Sequence, residues 1–252
     1  MYLGFLGTGK ITHSIILGVL SSKIKVDRIY ISYRNKIISK QLSQKFKKVK
    51  ILKNNQDIID KSNMIILAVT PKVGVKILPK LKFHSKKTIV SLISTINLKK
   101  LKQFTKSKKI TRVIPLPFIN MRKGPIIICP KDKKIKNFFN HLGTVIEVKK
   151  ENFSKGFWAT SSFMASFYNL LQVTSNWLTS KGIKKNQAEK YTKELFLALT
   201  EDAINKNNIE LKQLVLESQT PGGTNAYVLK ELRKKKFYKL QQKVLNSIYK
   251  KF

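Results

Sequence analysis

Met1-Tyr-Leu-Gly-Phe-Leu-Gly-Thr-Gly-Lys-Ile-Thr12 is the stretch that decides the fold. Tyr2 to Leu6 reads as a short buried strand, Gly7-Thr8-Gly9 as a tight turn, and Lys10 as the opening of a helix. Gly7-x-Gly9 directly after a strand is the first two-thirds of a dinucleotide fingerprint. Gly7 permits the sharp turn, and Gly9 lets the backbone approach a pyrophosphate closely. The following helix aims its free N–H groups and positive dipole end at that phosphate. Thr12 holds the third position of the fingerprint. It is larger than the usual Gly or Ala but can still pack a helix onto a strand. The alternative is an ordinary strand-to-helix turn that happens to contain glycine.

Outward from this turn, strand and helix signals alternate. Arg28 to Arg34 reads as a second strand, ending in Ser32-Tyr33-Arg34. An NAD-preferring fold carries Asp or Glu at this strand end, for the ribose 2′-hydroxyl. Here Ser32 and Arg34 offer a hydroxyl and a guanidinium, which donate to a 2′-phosphate. That favours NADP, with a solvated strand-end arginine as the alternative. Lys36 to Phe46 reads as a helix, Val49 to Leu52 as a strand and Asp57 to Ser62 as a short helix. The continuous apolar run Asn63 to Val69 reads as a central parallel strand. It breaks at Thr70-Pro71, at the carboxyl end of a strand, where ligands of open α/β sheets sit. Further strands are expected at 88–93, 110–114, 125–129 and 145–148, with helices from 74 and over 97–104. This alternation predicts βαβ units and a parallel sheet.

The pattern changes near residue 150. From Asn152 onward no strand is expected. One long helix is predicted over 154–180, apolar on most of its circumference, and others over 186–205, 208–218, 226–235 and 237–249. The expected domains are therefore 1–150 and 151–252. A helix so widely apolar is central in a bundle or lies in a subunit interface.

The 252 residues carry a formal net charge of +38. Of 51 basic residues, 46 are Lys and only 5 are Arg, spread along the whole chain. Specific readers of DNA lean on Arg for bidentate base contacts, so nucleic acid is disfavoured as a partner. The abundance of Lys, Ile, Asn, Phe and Tyr is what A/T-rich codons produce. The charge would still attract anionic ligands such as a dinucleotide. No apolar run of membrane-spanning length exists, no signal peptide is evident, and the one cysteine, Cys129, cannot form an internal disulfide. A cytoplasmic location is the expectation.

Four segments, in order and at compatible intervals, give the chain a resemblance to the pyrroline-5-carboxylate reductase family: Gly4-Phe-Leu-Gly-Thr-Gly9, Leu67-Ala-Val-Thr-Pro71, Arg112-Val-Ile-Pro115 and Thr220-Pro-Gly-Gly-Thr224. The resemblance implies an α/β fold, with an N-terminal Rossmann-type dinucleotide-binding domain and a C-terminal all-α domain that dimerises. It implies NADPH as cofactor, a small imino acid as substrate, and a homodimer or larger homo-oligomer. Gly7, Thr8, Gly9, Lys10, Ile11 and Thr12 would hold the pyrophosphate. Ser32 and Arg34 would meet the 2′-phosphate, and Asn55 the adenosine. Ala68, Val69, Thr70 and Pro71 would line the nicotinamide ribose, with Ser94, Thr95 and Ile96 near the nicotinamide. Thr160, Ser162, Gly222, Gly223, Thr224 and Asn225 would form the substrate side, the helix start at Thr224 binding a carboxylate. Gly223 is expected at positive φ.

Two departures from the family pattern fall where substrate should bind. Its Ser-Gly-Ser-Gly-Pro-Ala segment is here Thr160-Ser-Ser-Phe-Met-Ala165, and its Ala-Gly after the strand at 88–93 is Ser94-Thr95. Both fill positions that are otherwise small. No His, Asp or Glu in the matched motifs is an evident acid; His13, His84 and His141 read as packing or surface residues. Catalytic roles therefore fall to Thr224, with Ser162 assisting. The implied reaction is reduction of 1-pyrroline-5-carboxylate to proline. The alternatives are a reductase of the same fold acting on another imine or ketone, and a non-catalytic dinucleotide-binding protein.

Overall fold

Successive side chains of a strand point to opposite faces, so a continuous apolar run gives an inner strand two apolar faces, and helices must cover both. The computed structural model describes residues 1–84, 87–107 and 109–251. Its first unit contains β1 (Tyr2–Leu6), α1 (Lys10–Leu20), β2 (Arg28–Ser32), α2 (Lys36–Lys45), β3 (Val49–Leu52), α3 (Asn55–Lys61), β4 (Met64–Leu67), α4 (Pro71–Ile77), β5 (Thr88–Ser91), α5 (Leu98–Thr105), β6 (Ile110–Ile114), β7 (Pro125–Cys129), α6 (Lys133–Phe139) and β8 (Thr144–Glu147). The strands form one sheet in the order β3-β2-β1-β4-β5-β6-β7-β8. On one face Leu3, Phe5, Ile66 and Ile128 pack with Ile15, Ile16 and Val19 of α1 and Phe139 of α6. On the other, Leu6, Ile65, Leu67 and Ile89 pack with Ile58 and Ile59 of α3 and Leu101 of α5. The order reverses between β1 and β4, so the crevice at their carboxyl ends is the switch point of the sheet.

The sheet is not wholly parallel. β7 runs antiparallel to β6, with Val113 opposite Ile128. The ten residues between these strands hold only a short 3-10 turn at Pro117–Met121. A parallel return needs a crossover of a dozen or more residues, usually a helix. α6 supplies one between β7 and β8, which pair in parallel. The sequence reading had not placed a helix there.

The rest of the chain is helical: α7 (Ser154–Ser161), α8 (Met164–Ser180), α9 (Lys185–Asn205), α10 (Leu211–Glu217), α11 (Thr224–Lys234) and α12 (Phe237–Tyr249). Chain contacts divide the protein at Met1–Trp158 and Ala159–Phe252, so most of α7 belongs with the sheet. There Phe157 and Trp158 pack against a small cluster of Ile114, Ile127, Cys129 and Val148. The single helix expected over 154–180 is broken in two. The Ser162 and Phe163 N–H groups donate to the carbonyls three residues back, Ala159 and Thr160, at 3.1 Å each. Three successive hydroxyl residues, Thr160-Ser-Ser162, lower helix propensity at this point because their side chains compete for backbone groups.

α8 exposes Phe167, Tyr168, Leu170, Val173 and Trp177, the last at 59%. Among the described residues, no helix is long and apolar enough to cross a membrane.

Candidate active site

The turn after β1 is fixed from three sides. Gly7 has φ +106°, and a Cβ there would sit 2.4 Å from the Ala68 carbonyl oxygen. Only glycine allows that backbone and that approach to the end of β4. The Gly7 N–H donates to Ser32 Oγ at 3.1 Å. Thr8 Oγ1 donates to the Ser32 carbonyl at 2.6 Å, and Thr12 Oγ1 to the Gly7 carbonyl at 2.8 Å. Thr8, Thr12 and Ser32 are buried. Gly9 differs: a Cβ there would meet nothing within 4 Å. Packing places no demand for glycine at this position, so the missing side chain leaves open space over the start of α1.

Beside this turn lies a cleft of about 390 Å³, lined by Gly7, Ser32, Tyr33, Arg34, Lys36, Lys53, Asn55, Val69, Val73 and Ile77. It brings together five residues singled out from the sequence: Gly7, Ser32, Arg34, Asn55 and Val69. Lys36 and Lys53 were not foreseen. Each follows a strand end, Lys36 opening α2 after β2 and Lys53 just past β3. Parallel strands in register, Ser32 beside Leu52, bring those two ends together. Three cationic side chains and no carboxylate line the cleft.

Thr8, Gly9, Lys10, Ile11, Thr12, Ala68, Thr70 and Pro71 lie outside the cleft lining. Lys10 is exposed, Ile11 and Ala68 are half-buried, and Thr70 is exposed ahead of Pro71, the first residue of α4. Ser94, half-buried, and Thr95, exposed, sit in the loop between β5 and α5.

That loop is anchored by a residue to which the sequence reading gave no role. Arg112, in the middle of β6, is 1% exposed. Its guanidinium donates to the carbonyls of Ile93 and Ile96 and of Ser94 at 3.0 Å. It pairs with Glu151 at 2.7 Å, with a further bond from Nε at 3.1 Å, and lies 5.3 Å from the Trp158 ring centre. Both Glu151 oxygens accept the Leu98 N–H at 3.0 Å. Burial pulls the Arg112 pKa below its ordinary value, while the Glu151 charge and hydrogen bond oppose that shift. An arginine inside the otherwise apolar strand Ile-Thr-Arg-Val-Ile114 was the available signal.

In the helical unit, Thr160 lies in the last turn of α7 and Ser162 in the turn after it; both are exposed. Gly222 and Gly223 lead into α11. The left-handed residue is Gly222, at φ +75°, while Gly223 has φ −77° and caps the helix. The expected positive φ therefore falls one residue earlier, because the Gly223 N–H turns back to the Thr220 carbonyl at 2.8 Å. Thr224 is the first helical residue and is exposed. Asn225 Nδ2 donates to the Ser218 carbonyl at 3.1 Å. The first N–H groups of such a helix have no intrahelical acceptor.

Comparison with known proteins agrees with these two units. Residues 2–97 match the family model for NADP oxidoreductases, coenzyme F420-dependent. Residues 151–252 match the model for pyrroline-5-carboxylate reductase dimerisation. Both units are similar to those of the pyrroline-5-carboxylate reductases. The reductase of Staphylococcus haemolyticus is 23% identical over 240 residues, covering 89% of this chain and 86% of that protein. The reductase of Pisum sativum is 29% identical over 116 residues, 45% of this chain, and the match spans only 42% of its length. The fold is that of the Plasmodium falciparum pyrroline carboxylate reductase with NADP bound. The TM-score is 0.84 at 20% identity, over 100% of this chain and 96% of that one.

Proposed function

We propose that this protein is an NADPH-dependent reductase of a small cyclic imine carboxylate, with 1-pyrroline-5-carboxylate, reduced to proline, as substrate. The observation that carries the reading is the cleft beside the Gly7 turn, which holds Arg34, Lys36 and Lys53 and no acid. These residues fit a dinucleotide with a 2′-phosphate. Arg34 forks onto the phosphate, and Lys36 and Lys53 add point charges. Asn55 offers an amide to the adenosine side. The open space over Gly9 and the N-terminus of α1 suit the pyrophosphate. Ser32 serves chiefly to hold the turn, since its Oγ already accepts the Gly7 N–H.

When bound, NADPH supplies the hydride that reduces the C=N bond. The protein's own residues bind, orient and exclude water. Ala68, Val69, Thr70 and Pro71 after β4 would line the nicotinamide ribose, and Ser94 and Thr95 after β5 would lie near the nicotinamide. Thr224 and the first N–H groups of α11 hold the substrate carboxylate, with Asn225 and the Gly222-Gly223 turn shaping the approach. Thr160 and Ser162 contribute hydroxyls, and Ser162 assists proton delivery to the imine nitrogen. The match to a dimerisation model and the exposed apolar α8 support a homo-oligomer, and the similarity to pyrroline-5-carboxylate reductases supports a cytoplasmic enzyme of amino-acid biosynthesis.

The test is NADPH oxidation against a panel of cyclic imino acids that includes pyrroline-5-carboxylate. Turnover greatest with that compound is expected. Stoichiometric NADPH binding without turnover of any imine would overturn the reading in favour of a dinucleotide-binding protein.

A further inference from the structure

We infer that Arg112 is a positioning residue of the reductase, which holds the nicotinamide-side loop, residues 92–97, in its working conformation through a clamp completed by Glu151. The inference rests on the reading of that loop given under the proposed function.

A guanidinium has five N–H donors, and this one makes four hydrogen bonds and an ion pair. Nε meets Glu151. Nη1 meets the Ile93 and Ser94 carbonyls. Nη2 meets the Ile96 carbonyl and Glu151. Three of the acceptors are backbone oxygens within four consecutive residues of a segment with no regular structure. Such carbonyls have no ladder or helix to satisfy them, so they need another donor when buried. Glu151 completes the clamp at the far end of the loop by accepting the Leu98 N–H at the start of α5. The Trp158 ring covers the guanidinium. The loop thus enters from β5 and leaves into α5 with both ends tied to the ion pair of buried Arg112 and half-buried Glu151.

Position gives this a functional meaning. The loop lies at the carboxyl end of β5, next in the sheet to β4 and one strand beyond it from β1. It carries Ser94 and Thr95 at the point where the family pattern has smaller residues. Hydride transfer depends on placement at the ångström level, and a shift of about 1 Å costs roughly a hundredfold in rate. Binding of the adenosine end depends on Arg34, Lys36 and Lys53, none of which contacts the clamp. Lysine cannot replace Arg112, because a point charge with three donors does not reach four acceptors spread around one plane.

The experiment uses the full chain with Arg112→Lys and, as a milder change, Glu151→Gln. Three quantities are measured: the dissociation constants of 2′,5′-ADP and NADPH, kcat with the imine substrate, and hydrogen exchange of peptides spanning 92–98. Affinity for 2′,5′-ADP should change by less than about twofold, because the sites are far apart and share no partners. NADPH should lose most of the affinity it has beyond 2′,5′-ADP, kcat should fall about tenfold or more, and the 92–98 amides should exchange faster. Equal weakening of both nucleotides would mean that Arg112 merely supports the domain and would overturn the inference. So would unchanged NADPH affinity, kcat and exchange. If Arg112→Lys does not fold, Glu151→Gln carries the same test. If the wild type turns over no imine, the proposed function fails, yet nucleotide binding and exchange still decide the clamp.

Discussion

The Thr12 hydroxyl donates to the Gly7 carbonyl oxygen at 2.8 Å, tying the first turn of α1 back onto the glycine turn. A fingerprint position that usually requires a small residue is thus filled by a larger one whose polar atom finds a partner in the turn itself. Thr12→Val keeps the shape and removes the donor, leaving a buried carbonyl short of its bond. The expected loss is about 1–3 kcal/mol of stability, read as a lower urea midpoint, with weaker NADPH binding alongside. A variant as stable as the wild type would show that the bond contributes nothing.

Cofactor choice follows from the cleft lining. The wild type should prefer NADPH to NADH, and Arg34→Ala should narrow that preference about tenfold or more, the scale of one charged contact to phosphate. Lys53→Ala should act in the same direction and more weakly, since a single ammonium lacks the fork geometry. Fluorescence titration of both cofactors settles the matter; equal affinities in the wild type would defeat it.

Thr224→Ala separates substrate binding from capping. Gly223, not Thr224, caps α11, and Thr224 makes no cap bond. The melting temperature should therefore move little. If Thr224 holds the carboxylate, kcat/KM should fall by about 1.5–3 kcal/mol in transition-state terms, with NADPH affinity unchanged. Unaltered kcat/KM would remove Thr224 from the site. Gly222→Val, at φ +75°, should strain the turn more than Gly223→Val does.

Assembly is legible on α8. Phe167, Tyr168, Leu170, Val173 and Trp177 stand exposed in the single chain, a patch of a kind that marks a protein interface. Light scattering should give at least twice the 29.0 kDa chain mass. Trp177→Glu should shift the species toward smaller assemblies. A wild-type monomer at micromolar concentration would contradict the proposal.

Cys129 offers an internal probe of the sheet. It is 2% exposed, and burial raises its pKa, with Glu151 adding to the shift and Arg112 opposing it. A buried thiol kept protonated is a poor nucleophile. A thiol reagent at mildly alkaline pH should leave the native protein unmodified and titrate one equivalent in denaturant. Rapid reaction of the native protein would show that the β7 end of the sheet opens locally.

Several features were decided by the sequence itself. β1, the glycine turn and α1 follow from an apolar run, two glycines and a helix start, all within twelve residues. The exact spans of β3, β6, β7 and α12 were readable for the same reason. Side-chain periodicity is set by local backbone geometry, so a sequence displays it directly. The break after α7 was written locally too, in Thr160-Ser-Ser162, but the apolar pattern running through it pointed the other way. Tertiary structure decided the rest. The direction of β7 depended on what a ten-residue connection can span. The cationic cleft needed the ends of β2 and β3 in register before Arg34 and Lys53 came to line it together. Arg112 gained its meaning from carbonyls 16 to 19 residues away and a carboxylate 39 residues away. A guanidinium's partners are fixed by how the chain returns on itself, and no local pattern records that path.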